Sequence, residues 1–116
     1  VEEVDSAGPG NVAFAEIHSE HASEVFSGFG QRGVPAEKVA DGVVREARRY
    51  LDADVPVGEH LADQLLLPLA LGGGRFRTQA LSGHTQTNLD TLRLFLDVSP
   101  TVEQVAEDGW EISITR

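Results

Sequence analysis

The spacing of apolar residues along this chain changes period several times, and each change marks an element. In NVAFAEIHS, Val12 and Phe14, and less strictly Ile17, alternate with small or polar residues, a period that predicts a strand. ASEVFSGFGQRG predicts a second strand through Val25 and Phe26, followed by Gly28, Gly30 and Gly33, which permit positive φ at a turn. In VPAEKVADGVVREARRYLDAD the period becomes helical, with Val39, Val43, Ala47 and Tyr50 on one stripe. Pro35 and Glu37 mark the start of that helix. Arg45, Arg48 and Arg49 lie off the stripe toward its end, where they suit the helix dipole.

VGEHLADQLLLPLALGGG predicts a second helix, beginning near Glu59 and ending before glycines 72–74, with Pro68 expected to kink or shorten it. RFRTQAL alternates as a strand, Arg75 and Arg77 on one face and Phe76 on the other. LSGHTQTNLDTLRLFL gives a third helix whose buried stripe is Leu89, Leu92, Phe95 and Leu96. TVEQVAEDGWEISITR predicts a hairpin turning at Asp108-Gly109, with Trp110, Ile112 and Ile114 alternating. The order β-β-α-α-β-α-β-β predicts an α+β fold, a mixed β-sheet with helices packed on one face. Residues 1–10, acidic and then glycine-rich, form a lead-in or cut loop before a single domain over 11–116.

Bulk properties narrow this picture. A chain of 116 residues is enough for one core, and 41% hydrophobic with 24% charged residues is globular composition. The net charge of −10 is the wrong sign for a free-standing nucleic-acid binder, so any nucleotide or RNA needs a local site or cations from elsewhere. Disulfides and thiolate metal sites are excluded because there is no cysteine. No apolar run approaches the length of a membrane span. The chain also has no methionine, so Val1 is not a translational start as written and a piece of a longer or processed protein is expected.

Two places carry candidate chemistry. On the second helix His60, Asp63 and Gln64 share one face by their i, i+3, i+4 spacing. A solvated outer face accounts for this pattern. So does recognition of a heterocycle such as adenine, since the set offers an aromatic plate, an acceptor and a bidentate amide. His84 stands at or just before the start of the third helix, where Ser82, Thr85 and Thr87 are alternative N-caps. An exposed turn histidine would satisfy the sequence. A nucleophile would too, because unpaired N–H groups at a helix start attract phosphate and disfavour an imidazolium, leaving a ring lone pair free for attack at phosphorus.

Other motifs are set aside. His18 and His21 are spaced for a helix but lie in a strand-like segment, so a solvent or structural role is expected rather than metal binding. Glycines 72–74 lack the lysine of a phosphate loop and follow a helix, which makes them a helix stop. GFGQRG is followed by Pro35 and by no acidic ribose ligand, unlike a dinucleotide fingerprint. Trp110 reads as a hairpin core residue.

The segments EHLADQLLLPLAL, GGGRFRT and LSGHTQTN together resemble the carboxy-terminal part of the RNA 3'-terminal phosphate cyclase family. GFGQRGVPAEKVADGVVREARRYL resembles the family's sequence just upstream, and GPGNVAFAEI its strand after a small inserted domain. The resemblance implies a βαβαββ-type unit similar to the C-terminal domain of translation initiation factor three. It implies use of ATP and a divalent metal (Mg or Mn), whose ligand lies outside this chain, to turn an RNA 3'-phosphate into a 2',3'-cyclic phosphate through a covalent histidine–AMP. The nucleophile falls on His84, the adenine-stacking position on His60, and nucleotide contacts on Asp63 and Gln64, with Asn88 in support. The implied partners are RNA with a 3'-phosphate end, ATP and the missing amino-terminal part of the same protein, with no membrane and a cytoplasmic setting. The alternative is a non-catalytic cyclase-like protein acting in RNA or ribosome assembly.

Overall fold

The alternation and periodicity place every element in the expected order. In a computed structural model describing residues 1–115 these are β1 (Val12–His18), β2 (Ser23–Phe29), α1 (Ala36–Ala53), α2 (Glu59–Gly72), β3 (Gly74–Thr78), α3 (Gly83–Phe95), β4 (Ser99–Ala106) and β5 (Gly109–Thr115). Residues 1–10 contain neither helix nor strand and are exposed. The α+β class holds, but the strands form two small antiparallel sheets, β1-β2 and β3-β5-β4. One parallel bridge, Val57 to Thr78, is what remains of a mixed sheet. Pro56, with no N–H to donate, and Gly58, where α2 begins, confine that bridge to a single residue.

The first sheet packs on α1 through Phe26, Val43, Ala47 and Tyr50, with the Phe26 and Tyr50 rings 5.5 Å apart. On β1 the inward residues are Ala13, Ala15 and Ile17, whereas Val12 and Phe14 are 50% and 66% exposed. The small inward side chains let α1 lie close. A Cβ placed on Gly28 of β2 would sit 2.9 Å from Val43 Cγ2 and 3.0 Å from Val39 Cγ1. Close helix–sheet approach, not side-chain size, selects the inner face here.

The second sheet packs on α2 and α3 through Leu66, Leu89 and Ile112, joined by Leu69, Phe76, Leu92 and Val102. Three expectations change in this region. Pro68 neither shortens nor ends α2, which runs on to Gly72. The carbonyl deprived of its helical partner belongs to Gln64, an exposed residue, while Leu66, Leu69 and Ala70 anchor the turn inside. Gly73, at φ 72°, ends the helix by donating its N–H to the Leu69 carbonyl at 2.7 Å. Phe95 is 80% exposed rather than part of the buried stripe, because α3 stops there and Leu96 turns to extended backbone. The hairpin turn falls on Glu107 and Asp108, with Ala106 paired to Gly109, one residue earlier than expected. An irregularity between Gln104 and Ala106 shifts the register, and Gly109 opens β5 where a Cβ would press on Ala106 at 3.1 Å.

Between the two cores lies a short seam. The buried carboxylate of Glu24 accepts the Gly58 N–H at 2.7 Å, and the Tyr50 hydroxyl donates to the Pro56 carbonyl at 3.3 Å. Arg49 of α1 reaches Glu59 at 3.8 Å and Asp108 at 3.6 Å.

Candidate functional site

The α2 ridge is set by its buried side. Ala62, Leu66 and Ala70 face inward, which turns His60 and Gln64 to solvent and leaves Asp63 half-buried at the edge. The start of α2 is fixed by close contact: a Cβ on Gly58 would lie 2.8 Å from the Glu24 Oε1 atom that the Gly58 N–H meets. A side chain at this position would push the Glu24 carboxylate away from that bond, and Glu59 in the first turn complements the dipole.

Of the alternative caps on α3, Ser82 is the one used. Its Oγ accepts the Thr85 N–H at 3.0 Å, while its carbonyl takes the Gln86 N–H at 3.2 Å. Thr87 instead bonds back to the Gly83 carbonyl at 2.9 Å. Gly83 and His84 therefore occupy the first two helical positions, and their N–H groups have no acceptor among the described residues. The His84 side chain is exposed, and Asn88 stands one turn further on the same helix, also exposed. Two free N–H groups and the helix dipole make this end attractive to an anion beside the imidazole.

The two candidate regions meet through Thr85. Its hydroxyl, on a residue only 1% exposed, donates to Asp63 Oδ1 at 2.5 Å and lies 3.1 Å from Ser82 Oγ. The residue next to His84 is thus fastened to the middle of the α2 ridge. Asp63 was expected to face a nucleotide, and in this structure one of its oxygens is engaged in that bond. Ser82 and Thr85 join the candidate site through these bonds. Only the cap role of Ser82 had a local signature, since Asp63 and Thr85 are far apart in sequence.

Among the described residues no three His, Asp or Glu side chains converge to hold a metal ion. His18 is exposed and bonded to Ser23 at 2.9 Å, with Glu16 at 3.5 Å, and His21 lies 3.9 Å from Glu20. A cavity of about 180 Å³ opens beside His60, with Glu24, Phe26, Arg49, Glu59 and Gln79 on its walls. No helix among the described residues is long and apolar enough to cross a membrane.

Fold and site define an α+β domain that presents one imidazole at a helix start, tied to a polar ridge on the neighbouring helix. The sequence profile of the RNA 3'-terminal phosphate cyclase family matches residues 5–102, and the chain belongs to that family. It is 50% identical over 105 residues to the RNA 3'-terminal phosphate cyclase of Pseudomonas fluorescens, covering 86% of this chain and 31% of the relative. It is 50% identical over 97 residues to that of Ralstonia nicotianae, covering 83% and 28%. With the Salmonella enteritidis cyclase it shares 46% over 109 residues, covering 93% and 32%. The chain therefore spans a little under a third of the length of the curated relatives it matches.

Proposed function

We propose that this chain is the nucleophile-bearing, carboxy-terminal part of an RNA 3'-terminal phosphate cyclase, with ATP and a 3'-phosphorylated RNA end as substrates. A His84 ring nitrogen attacks the α-phosphorus of ATP. The bond from that phosphorus to the bridging oxygen breaks, pyrophosphate leaves with the electron pair, and the ring loses its proton to give histidine–AMP. An oxygen of the RNA 3'-phosphate then displaces the histidine, taking over the AMP. The neighbouring 2'-hydroxyl attacks the activated 3'-phosphorus, releasing AMP and closing the 2',3'-cyclic phosphate. Water is not consumed at any step, so the energy of the ATP anhydride goes into the strained ring.

In this reading His60 stacks on the adenine, Gln64 and Asp63 border the nucleotide, and Asn88 supports the phosphate side. A divalent metal would neutralise phosphate charge during the attack. Its ligands are expected in the remaining part of the protein, as are further cations, because a chain of net charge −10 lacks what triphosphate and RNA require. A cytoplasmic setting goes with such a role. The observation that carries the reading is the placement of His84: exposed, beside two free N–H groups, and fastened through Thr85 to Asp63 on the ridge.

The test is adenylylation. Combined with the amino-terminal part of a family member, α-labelled ATP and divalent metal, the chain should take up label, and His84→Ala should remove it entirely. Alone, it should cyclise little or no RNA. If both parts fold and associate yet no label enters, the non-catalytic role in RNA or ribosome assembly takes over.

A further inference from the structure

The outer face of the β1-β2 pair is apolar at one end and polar at the other. Strand alternation sets Ala13, Ala15, Ile17 and Phe26 against α1. It turns Val12, Phe14, Val25 and Phe29 to the opposite side, where they are 50%, 66%, 54% and 69% exposed. The far end of the same face serves itself: the His18 ring bonds Ser23 Oγ at 2.9 Å and lies 3.5 Å from Glu16. Single exposed apolar residues are ordinary, but these four adjoin. Val12 and Phe29 are cross-strand partners, Phe14 follows Val12 on the same side, and Val25 lies diagonal to Phe14 across the Phe14–Ser27 pair. Together they make an open patch of roughly 400 Å², a size that on soluble chains often marks an interaction site.

Charge says what can cover it. Among the described residues of this face there is no lysine or arginine, and the one carboxylate, Glu16, stands toward the polar end. A nucleic-acid backbone or an anionic lipid surface needs cations that are not there. What fits is another uncharged, flat, apolar surface, and the chain already possesses one in this face. At a net charge of −10 two copies repel over most of their surface, so this patch is where they approach at least cost.

We propose that the chain self-associates through this face. Two copies stack their β1-β2 pairs about a two-fold axis running along the strands, with Phe14 of each seated over Ser27 of the other. The strand register sets this arrangement. Rotation about such an axis keeps height along the strands and exchanges β1 with β2. Each residue of one copy then faces, in the other, the residue it pairs with in its own sheet. Phe14 therefore lies over a small side chain, Ser27, and Val12 lies over Phe29, while Glu16 meets Val25 at the rim with its carboxylate in water. Counted on both copies with its rim, the interface is roughly 1,000 Å², the lower end for specific association, so a weak dimer forming at about 10–100 µM is expected. The inference stands apart from the cyclase reading, because this face carries none of the residues proposed for phosphorus attack or nucleotide contact.

Sedimentation equilibrium of the chain alone across that range tests it. The mass should rise from 12.5 kDa toward twice that value. Phe14→Asp should raise the concentration for association at least about a hundredfold, since each dimer would bury two carboxylates. Ser27→Arg should do the same by filling the seat. An equal mixture of the two variants should dimerise again, because one contact then pairs a carboxylate with a guanidinium and the other keeps the native Phe14 and Ser27. Both substitutions lie on the side away from α1, and circular dichroism checks that the variants stay folded. Should either misfold, a nuclear Overhauser contact between Phe14 of a labelled wild-type copy and Ser27 of an unlabelled one decides alone. A chain monomeric up to about 1 mM overturns the proposal. So does a dimer that Phe14→Asp leaves intact, which would put association at a strand edge. A monomer whose Phe14 signals move only on adding the amino-terminal part of a family member also overturns it, in favour of a contact within the larger protein.

Discussion

The two cores of this protein are built to different standards. Leu66, Leu89 and Ile112 in the core of α2, α3 and the three-stranded sheet are 1%, 3% and 0% exposed, whereas Phe26, Val43, Ala47 and Tyr50 range from 4% to 8%. The three-stranded sheet carries two helices, but the β1-β2 pair carries one and leaves Val12, Phe14, Val25 and Phe29 on an uncovered outer face. A two-stranded sheet has little stability of its own, so β1 and β2 depend on α1 and on the seam. His84, Asp63, Gln64 and Asn88 all stand on the tighter core, while the looser one supplies Glu24, Phe26 and Arg49 as walls of the cavity. The residues proposed for attack at phosphorus thus stand where packing is densest.

This contrast is most easily broken at its centres. Leu66→Ala should cost about 3 kcal/mol, from lost transfer energy and the void left between α2 and β5. Val43→Ala, which removes fewer methyl groups from a less enclosed site, should cost roughly half as much. Urea denaturation of the two variants checks the order. The reverse order would mean that the β1-β2 core, not the other, holds the molecule together.

The seam comes next. Glu24→Ala removes the acceptor of the Gly58 N–H in a buried setting and should cost about 2 kcal/mol. Hydrogen exchange sharpens this: protection of the Gly58 amide should be lost while amides of β5 remain protected. Equal loss in both places would show that the two cores open as one unit.

At the site the effect on stability is smaller and that on chemistry larger. Thr85→Val keeps the volume but removes the hydroxyl that reaches Asp63, costing about 1 kcal/mol. In the reconstituted enzyme the rate of label transfer to His84 should fall with little change in the ATP concentration for half-saturation. Thr85→Ser, which restores the hydroxyl, should recover most of the rate. A valine variant as fast as wild type would remove Thr85 from any positioning role.

What the sequence discloses follows from how local each cause is. The α1 stripe and the Ile112 and Ile114 alternation were legible because burial there repeats at the period of the element. The inner face of β1 was not, since Ala13 and Ala15 carry little hydrophobic signal and are chosen by how closely α1 approaches Gly28. The hairpin turn moved one residue because the strand irregularity before Ala106 is a tertiary adjustment that Asp108-Gly109 does not announce. At the site, a capped helix start placed His84, and helical spacing gathered His60, Asp63 and Gln64. The Asp63–Thr85 bond joins residues distant along the chain, and no pattern within either segment encodes it.

The smallest effect is expected where periodicity misled. Phe95 continues the Leu89 and Leu92 spacing, yet it is 80% exposed, as Leu94 beside it is 82% exposed. Phe95→Ser therefore removes almost no buried surface and should change stability by no more than about 0.5 kcal/mol. Leu89→Ala, on the same helix but buried, should cost about 3 kcal/mol. Thermal unfolding of the pair measures the gap directly. If the serine variant were as unstable as the alanine one, α3 would have to continue its buried stripe through Phe95, and the tighter core would reach beyond Leu92.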